Sequence, residues 1–388
     1  MRDYYRDIAV LAMPLPAAEE AKKTVGKVSL PRPEPGKPQI VPMGFSEPFT
    51  ARSLTVTVAS GKTMSGALQV SDDGKTFKTV QAFRVKPPMV SLSFEPVTGR
   101  YFRIVFTRCD EENQKTIEIS KVELSPQIQI ANILDKASFT TKMNQTAPAA
   151  WPVVPPELAI ERDEIVDLSA QMDASGKLTW EAPPGKWLVL RFGHTTTGKD
   201  NHPAPELGRG LECDKFSKEA ATTMYNGLMG KLVAENKAVS GQGKVLVSTH
   251  IDSWEVGAQN WTPKMREEFQ ARRGYDLWKF LPAFTSRVVD SPEVTERFLW
   301  DLRPTVSDLV AQNYAGEFRR LANKDGLRLS IEAYHGVPAD TLTYGGQADE
   351  PMCEFWAWKK FSGSEWCPAM ASAAHIYCLL YTSPSPRD

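Results

Sequence analysis

The stretch Val245-Leu-Val-Ser-Thr-His-Ile-Asp-Ser-Trp-Glu255 constrains this chain more than any other. Its apolar start, Val245 to Val247, follows the turn-like Gly241-Gln-Gly-Lys and reads as a buried strand of a parallel sheet. The chemistry then changes abruptly. His250, Asp252, Trp254 and Glu255 crowd the point where that strand should end. Enzymes built from β/α units place their reacting groups at the C-terminal ends of parallel strands, where loops converge over a rigid sheet. Each residue also has a plainer reading: Asp252 can cap the next helix, Trp254 can be core, and His250 can be a packed, hydrogen-bonded histidine.

Composition narrows the class. With 388 residues the chain can hold two or three domains with sizeable cores. A net charge of −1 and the lack of any basic run argue against nucleic-acid or membrane-surface partners. No apolar run approaches the length of a membrane span. Ten Trp and ten Tyr need sites for large amphipathic rings, which sugar clefts and cores both provide.

The ends of the chain stand apart. The start lacks a cleavable signal pattern. The tail Cys378-Leu-Leu-Tyr-Thr-Ser-Pro-Ser-Pro-Arg-Asp388 matches the translation of a transposon-end sequencing adapter, so residues 378–388 are set aside as artefact. The chain thus reads as an internal fragment of a longer protein. The remaining cysteines, Cys109, Cys213, Cys353 and Cys367, form no Cys-x-x-Cys pair, and neither a zinc site nor a redox motif is expected.

In chain order, residues 1–45 are a Pro-rich lead-in expected to lie extended over another domain. Residues 46–126 alternate apolar and polar side chains, as in Leu54, Val56 and Val58 or Phe102, Ile104 and Phe106. With a turn at Ser71-Asp-Asp-Gly74, that period of two predicts a small β-sandwich resembling the discoidin, galactose-binding type. Residues 127–200 form an irregular β region, and residues 201–377 a β/α region. Ser217 should cap one helix and Ser291-Pro292-Glu293 should open another, which runs to about Gly326 with a kink at Pro304.

Two further strand ends gather polar residues: Leu327-Arg-Leu-Ser-Ile-Glu332-Ala-Tyr-His335 and Asp349-Glu-Pro-Met-Cys-Glu354-Phe-Trp356. Strand, loop carboxylate, helix, repeated, implies a barrel or an open α/β sheet. Converging carboxylates with Trp and His suit glycosidic cleavage, which needs one carboxyl protonated and another ionised across the scissile bond.

Longer motifs sharpen this. Leu190-Arg-Phe-Gly-His-Thr-Thr-Thr-Gly198, Gly210-Leu-Glu-Cys-Asp-Lys215, Asp252-Ser-Trp-Glu-Val-Gly-Ala-Gln-Asn-Trp-Thr-Pro263, Glu332-Ala-Tyr and Pro351-Met-Cys-Glu-Phe-Trp356 together resemble the glycoside hydrolase family 106 α-L-rhamnosidases, over roughly Tyr4 to Tyr377. The resemblance implies a partial (β/α)8 barrel of the TIM type with β-sandwich insertions. It also implies inverting, calcium-assisted release of terminal rhamnose from a carbohydrate substrate, by a periplasmic or secreted protein. It assigns Glu255 as general acid, expected to sit partly out of water, with Asp252 in support. His250, Trp254, Glu332, His335, Glu354 and Trp356 would contact the sugar, and Glu332 and Glu354 the calcium. The general base would follow Tyr377, where the tail stands instead, so the fragment is expected to be inactive. Two other classes remain open on sequence alone: a non-catalytic carbohydrate-binding protein, and a retaining glycosidase of another specificity.

Overall fold

The computed structural model of the chain describes residues 3–17, 19–59, 63–110, 115–141, 153–240, 245–333, 336–354 and 366–379. Its largest unit is antiparallel. It is made of β2 (Lys23–Val25), β3 (Val28–Pro31), β4 (Gln39–Val58), β5 (Met64–Ser71), β6 (Lys78–Val85), β7 (Met89–Cys109) and β8 (Thr116–Ser125). The sheet order is β2-β8-β4-β7-β5-β6, with β3 also on β8. The long strands β4 and β7 pair along their whole length, with register shifts at Gly44/Phe49 and Ala51/Ser53. Alternation puts Leu54, Val56, Leu68, Phe102, Ile104, Phe106, Ile117 and Ile119 into one buried cluster drawn from these strands. In the β5–β6 turn, the Asp73 carboxylate accepts the N–H groups of Lys75 and Thr76 and the Ser71 hydroxyl, which holds its pKa down at about 2.

The Pro-rich lead-in is extended, and it contributes strands to two sheets. Its first segment, β1 (Tyr5–Pro14), runs antiparallel to β10 (Trp187–Thr195), with Leu11 opposite Leu190, and it also pairs with β9 (Val166–Asp167). Its later segments supply β2, β3 and the start of β4. Ala9 to Met13 are all buried, so the apolar run near the start serves a sheet rather than covering one.

The third sheet is parallel. β11 (Ser248–Ile251), β12 (Arg328–Glu332) and β13 (Glu350–Met352) lie in that order. Here the sequence expectation needs correcting. Val245 and Val247 are exposed, and pairing starts at Ser248 opposite Arg328. The strand is the polar-looking Ser-Thr-His-Ile segment, whose Thr249 and Ile251 turn inward and whose His250 turns out. On β12, Leu329, Ser330 and Ile331 are all buried, so the middle of that strand is covered on both faces.

Helices back the inward face. The first is the single turn α1 (Ile133–Lys136). Helix α2 (Lys218–Ser240) is capped by Ser217, whose hydroxyl accepts the Ala220 N–H. Helix α3 (Met265–Arg273) ends at Gly274 in the left-handed conformation. Helix α4 (Pro292–Leu309) has Ser291 as N-cap and Pro292 at its first turn, as expected. Its buried stripe of Thr295, Phe298, Leu302, Thr305, Val306 and Leu309 keeps the three-four spacing of a helix face. Pro304 sits within α4, and the irregularity comes later, as a π-turn at Val310–Ala315 before α5 (Gly316–Lys324). Two short helices, α6 (Thr341–Gly345) and α7 (Trp366–Tyr377), pack against each other, with α7 also on β13. Among the described residues no helix is long and apolar enough to cross a membrane.

Candidate functional site

The parallel sheet decides where the polar residues meet. Register places His250 beside Ser330 and Glu332 beside Met352, so β11, β12 and β13 end side by side with Asp252, Glu332 and Glu354 at one edge. Because side chains alternate, His250 and Asp252 share a face with Ser330 and Glu332, opposite to the packed Ile251, Leu329 and Ile331. Nδ1 of His250 lies 2.7 Å from the Ser330 hydroxyl. One ligand atom each from His250, Asp252 and Glu332 fall within 4.8 Å of one another.

Ser253 joins the two acids. Its N–H donates to Asp252 Oδ1 (2.7 Å) and its hydroxyl to Glu332 Oε2 (2.9 Å). Burial pushes the Glu332 carboxyl above the usual glutamate range, and contact with Asp252 and the charge of Glu354 add to that. Asp252 moves the other way, held down chiefly by the Ser253 N–H. The two carboxyls are thus in hydrogen-bonding contact and are shifted in opposite directions, Glu332 up and Asp252 down. Burial also pushes the neighbouring Cys353 thiol up to about 12, with Cys367 beside it adding to the shift.

Trp254 takes the plainer of its two readings. Its ring is only 8% exposed and belongs to the large helix-backed core, with Nε1 donating to the Gly257 carbonyl (2.7 Å). It meets Tyr314 edge-on at 6.3 Å between ring centroids, and Tyr314 sits in the π-turn, which re-aims it relative to a regular helix. The Lys215 ammonium lies 5.6 Å from the Trp254 ring and 5.0 Å from Tyr314, and bonds Glu212 at 2.5 Å. Asp214 accepts from Gln259 (2.5 Å) and Thr262 (2.6 Å). Thus the Gly210–Lys215 motif anchors both sides of the loop that carries Asp252 and Glu255. Gly336 closes the floor: its φ is +93°, and a Cβ there would meet the Trp254 carbonyl oxygen at 3.1 Å.

Glu255 differs from expectation. Its neighbour Trp254 turns inward, and Glu255 itself is exposed rather than partly out of water. The desolvated acid of this site is Glu332. Sequence reasoning assigned no role to Ser253, Ser330 or Lys215, although Lys215 lay inside a matched motif and could have been found there. His335 and Trp356 lie outside the described residues, as do residues 380–388 of the tail; Cys378 is exposed.

Comparison with known proteins gives first the class: the chain matches glycoside hydrolases in sequence and in fold. The chain belongs to glycoside hydrolase family 106, the alpha-L-rhamnosidases, whose family model matches residues 1–383. That match runs past Tyr377 into the tail. A rhamnosidase from Novosphingobium sp. PP1Y superposes with a TM-score of 0.78 at 28% identity, covering 97% of this chain and 38% of that one. A Formosa agariphila protein provisionally named a beta-glucuronidase is 44% identical over 224 residues, which is 58% of this chain and 19% of that protein. The chain therefore spans well under half the length of either relative.

Proposed function

We propose that this chain carries the sugar-binding and proton-donating part of an enzyme that hydrolyses terminal α-L-rhamnosidic bonds in plant or microbial glycans and glycosides. The observation behind the reading is the Asp252–Glu332 pair, bridged by Ser253 at the ends of adjacent parallel strands and shifted in opposite directions by its surroundings. Glycosidic cleavage uses carboxyl groups pushed into different protonation states by their surroundings. On this reading Asp252 and Glu332 hold the ring from one side, with His250 as a hydroxyl partner. Glu255, exposed three residues beyond Asp252, protonates the leaving oxygen. A carboxylate beyond Tyr377 activates water on the opposite face, and the product is inverted. Three acids at one edge also disfavour an anionic sugar, so a neutral deoxyhexose fits better than a glucuronide.

The three parallel strands then belong to a (β/α)8 barrel, and the antiparallel region is a discoidin-type sandwich. A periplasmic or secreted location goes with the reading. The donor set fits calcium, a hard cation that takes carboxylate oxygens, because Asp252 and Glu354 both crowd Glu332 with negative charge. Glu332 and Glu354 would hold the ion, which would offset that crowding and orient sugar hydroxyls.

The test uses the chain extended to the family's length. Glu255→Gln is expected to lower turnover of a rhamnoside with a poor leaving group by about 10²–10⁴-fold. An activated aryl α-L-rhamnoside should lose less, and equal losses would reassign Glu255 to binding. If the unsubstituted protein cleaves no α-L-rhamnoside, the reading fails. In the same assay EDTA should abolish turnover and added calcium restore it; full activity in chelator would remove the ion from the account.

A further inference from the structure

We infer that Cys353 and Cys367 form an intrachain disulfide when the protein meets a low-molecular-weight disulfide such as oxidised glutathione. The thiol of Cys353, just past β13, donates to the Cys367 sulfur at 3.4 Å, and Cys367 lies in the first turn of α7. A disulfide is about 2.05 Å long, so bonding asks the sulfurs to approach by roughly 1.4 Å, within the reach of side-chain rotation. No described alternative competes. Cys109 is buried in the antiparallel core, and Cys213 faces the Met224 sulfur at 3.5 Å. Cys378 is exposed but sits beyond the far end of α7. At about 1.5 Å of rise per residue, its Cα lies roughly 16 Å from that of Cys367, far past the ~7 Å limit for bridging.

Cys367 is exposed and Cys353 half-buried, which orders the steps. The Cys367 thiolate attacks one sulfur of the oxidant, and the first released thiol takes up the proton that Cys367 lost. The Cys353 sulfur then attacks Cys367 Sγ in the mixed disulfide, and its proton leaves on the second small thiol. Two protein thiols are oxidised and one small disulfide is reduced to two thiols. The new bond ties the end of β13, one residue before Glu354, to the start of α7. It does so whether or not the rhamnosidase reading holds.

The experiment equilibrates the whole chain with oxidised glutathione, traps free thiols by alkylation and maps the peptides by mass spectrometry. Expected are a peptide pair joined through Cys353 and Cys367, an intact mass lower by two hydrogens, and a melting midpoint raised by about 5 °C over the reduced chain. Cys353→Ser and Cys367→Ser should each remove the link, and the wild-type map decides the matter even if either variant folds poorly. Both thiols alkylated at equilibrium, a persistent glutathione adduct on Cys367, or a link from Cys367 to Cys378 would each overturn the inference.

Discussion

The antiparallel sheet of β2 to β8 and the parallel sheet of β11 to β13 meet the same burial requirement in opposite ways. The first takes its core from its own strands, between Val41 and Leu124. The second takes its core from everywhere: Ala9, Phe216, Phe269, Phe298, Leu329 and Met370 all belong to one cluster. Parallel strands need long crossovers, so their covering layer comes from distant parts of the chain. That arrangement leaves the other face of β11 open at His250 and Asp252, beside the half-buried Glu332 at the end of β12. A sheet that packs one face on its helices can spend the other on chemistry.

The contrast can be broken by mutation. Phe102→Ala, in the self-contained core, should cost about 3–5 kcal/mol. Its effect should be confined to a transition that leaves the Asp252–Glu332 pair intact, as calorimetry alongside a carboxyl probe would show. A single transition that destroys both would join the two regions energetically. Leu329→Ala, beneath Ser330 on β12, should cost somewhat less, about 2–4 kcal/mol, but should disturb the site itself. Unchanged titration of Glu332 in that variant would mean that strand packing does not set the site's geometry.

The same contrast explains what could be read from the sequence. In the antiparallel region alternation is local: Phe102, Ile104 and Phe106 announce their face within five residues, and the Ser71–Gly74 turn fixes the hairpin register. In the parallel region the strand ends were legible, because Asp252, Glu332 and Glu354 each follow an apolar–polar switch. The strand itself was not. Val245 to Val247 drew attention as the most apolar run, yet the buried positions are Thr249 and Ile251, interleaved with a histidine and a serine. The fate of Trp254 and Glu255 was also hidden, since which of two adjacent side chains turns inward depends on Tyr314 and Lys215, dozens of residues away. The Ser253 bridge depends on a partner seventy-nine residues along the chain. The pairing of Cys353 with Cys367 needs α7 to fold back onto β13, which no spacing rule reveals.

The two acids also carry opposite pH signatures. Glu332, with its raised pKa, stabilises the fold fully below the ordinary glutamate range and loses that contribution as pH rises through its folded value. Asp252, lowered, contributes above the ordinary aspartate range and loses it as pH falls through its folded value. The most direct measurement is an acid titration of the two side-chain carboxyl carbons by NMR, in the wild type and in Asp252→Asn. The opposed shifts predict Glu332 titrating above an ordinary glutamate and Asp252 below an ordinary aspartate, with Glu332 moving down toward its ordinary value once Asp252 is neutralised. Glu332 titrating at or below the ordinary value, or unmoved by Asp252→Asn, would contradict the account.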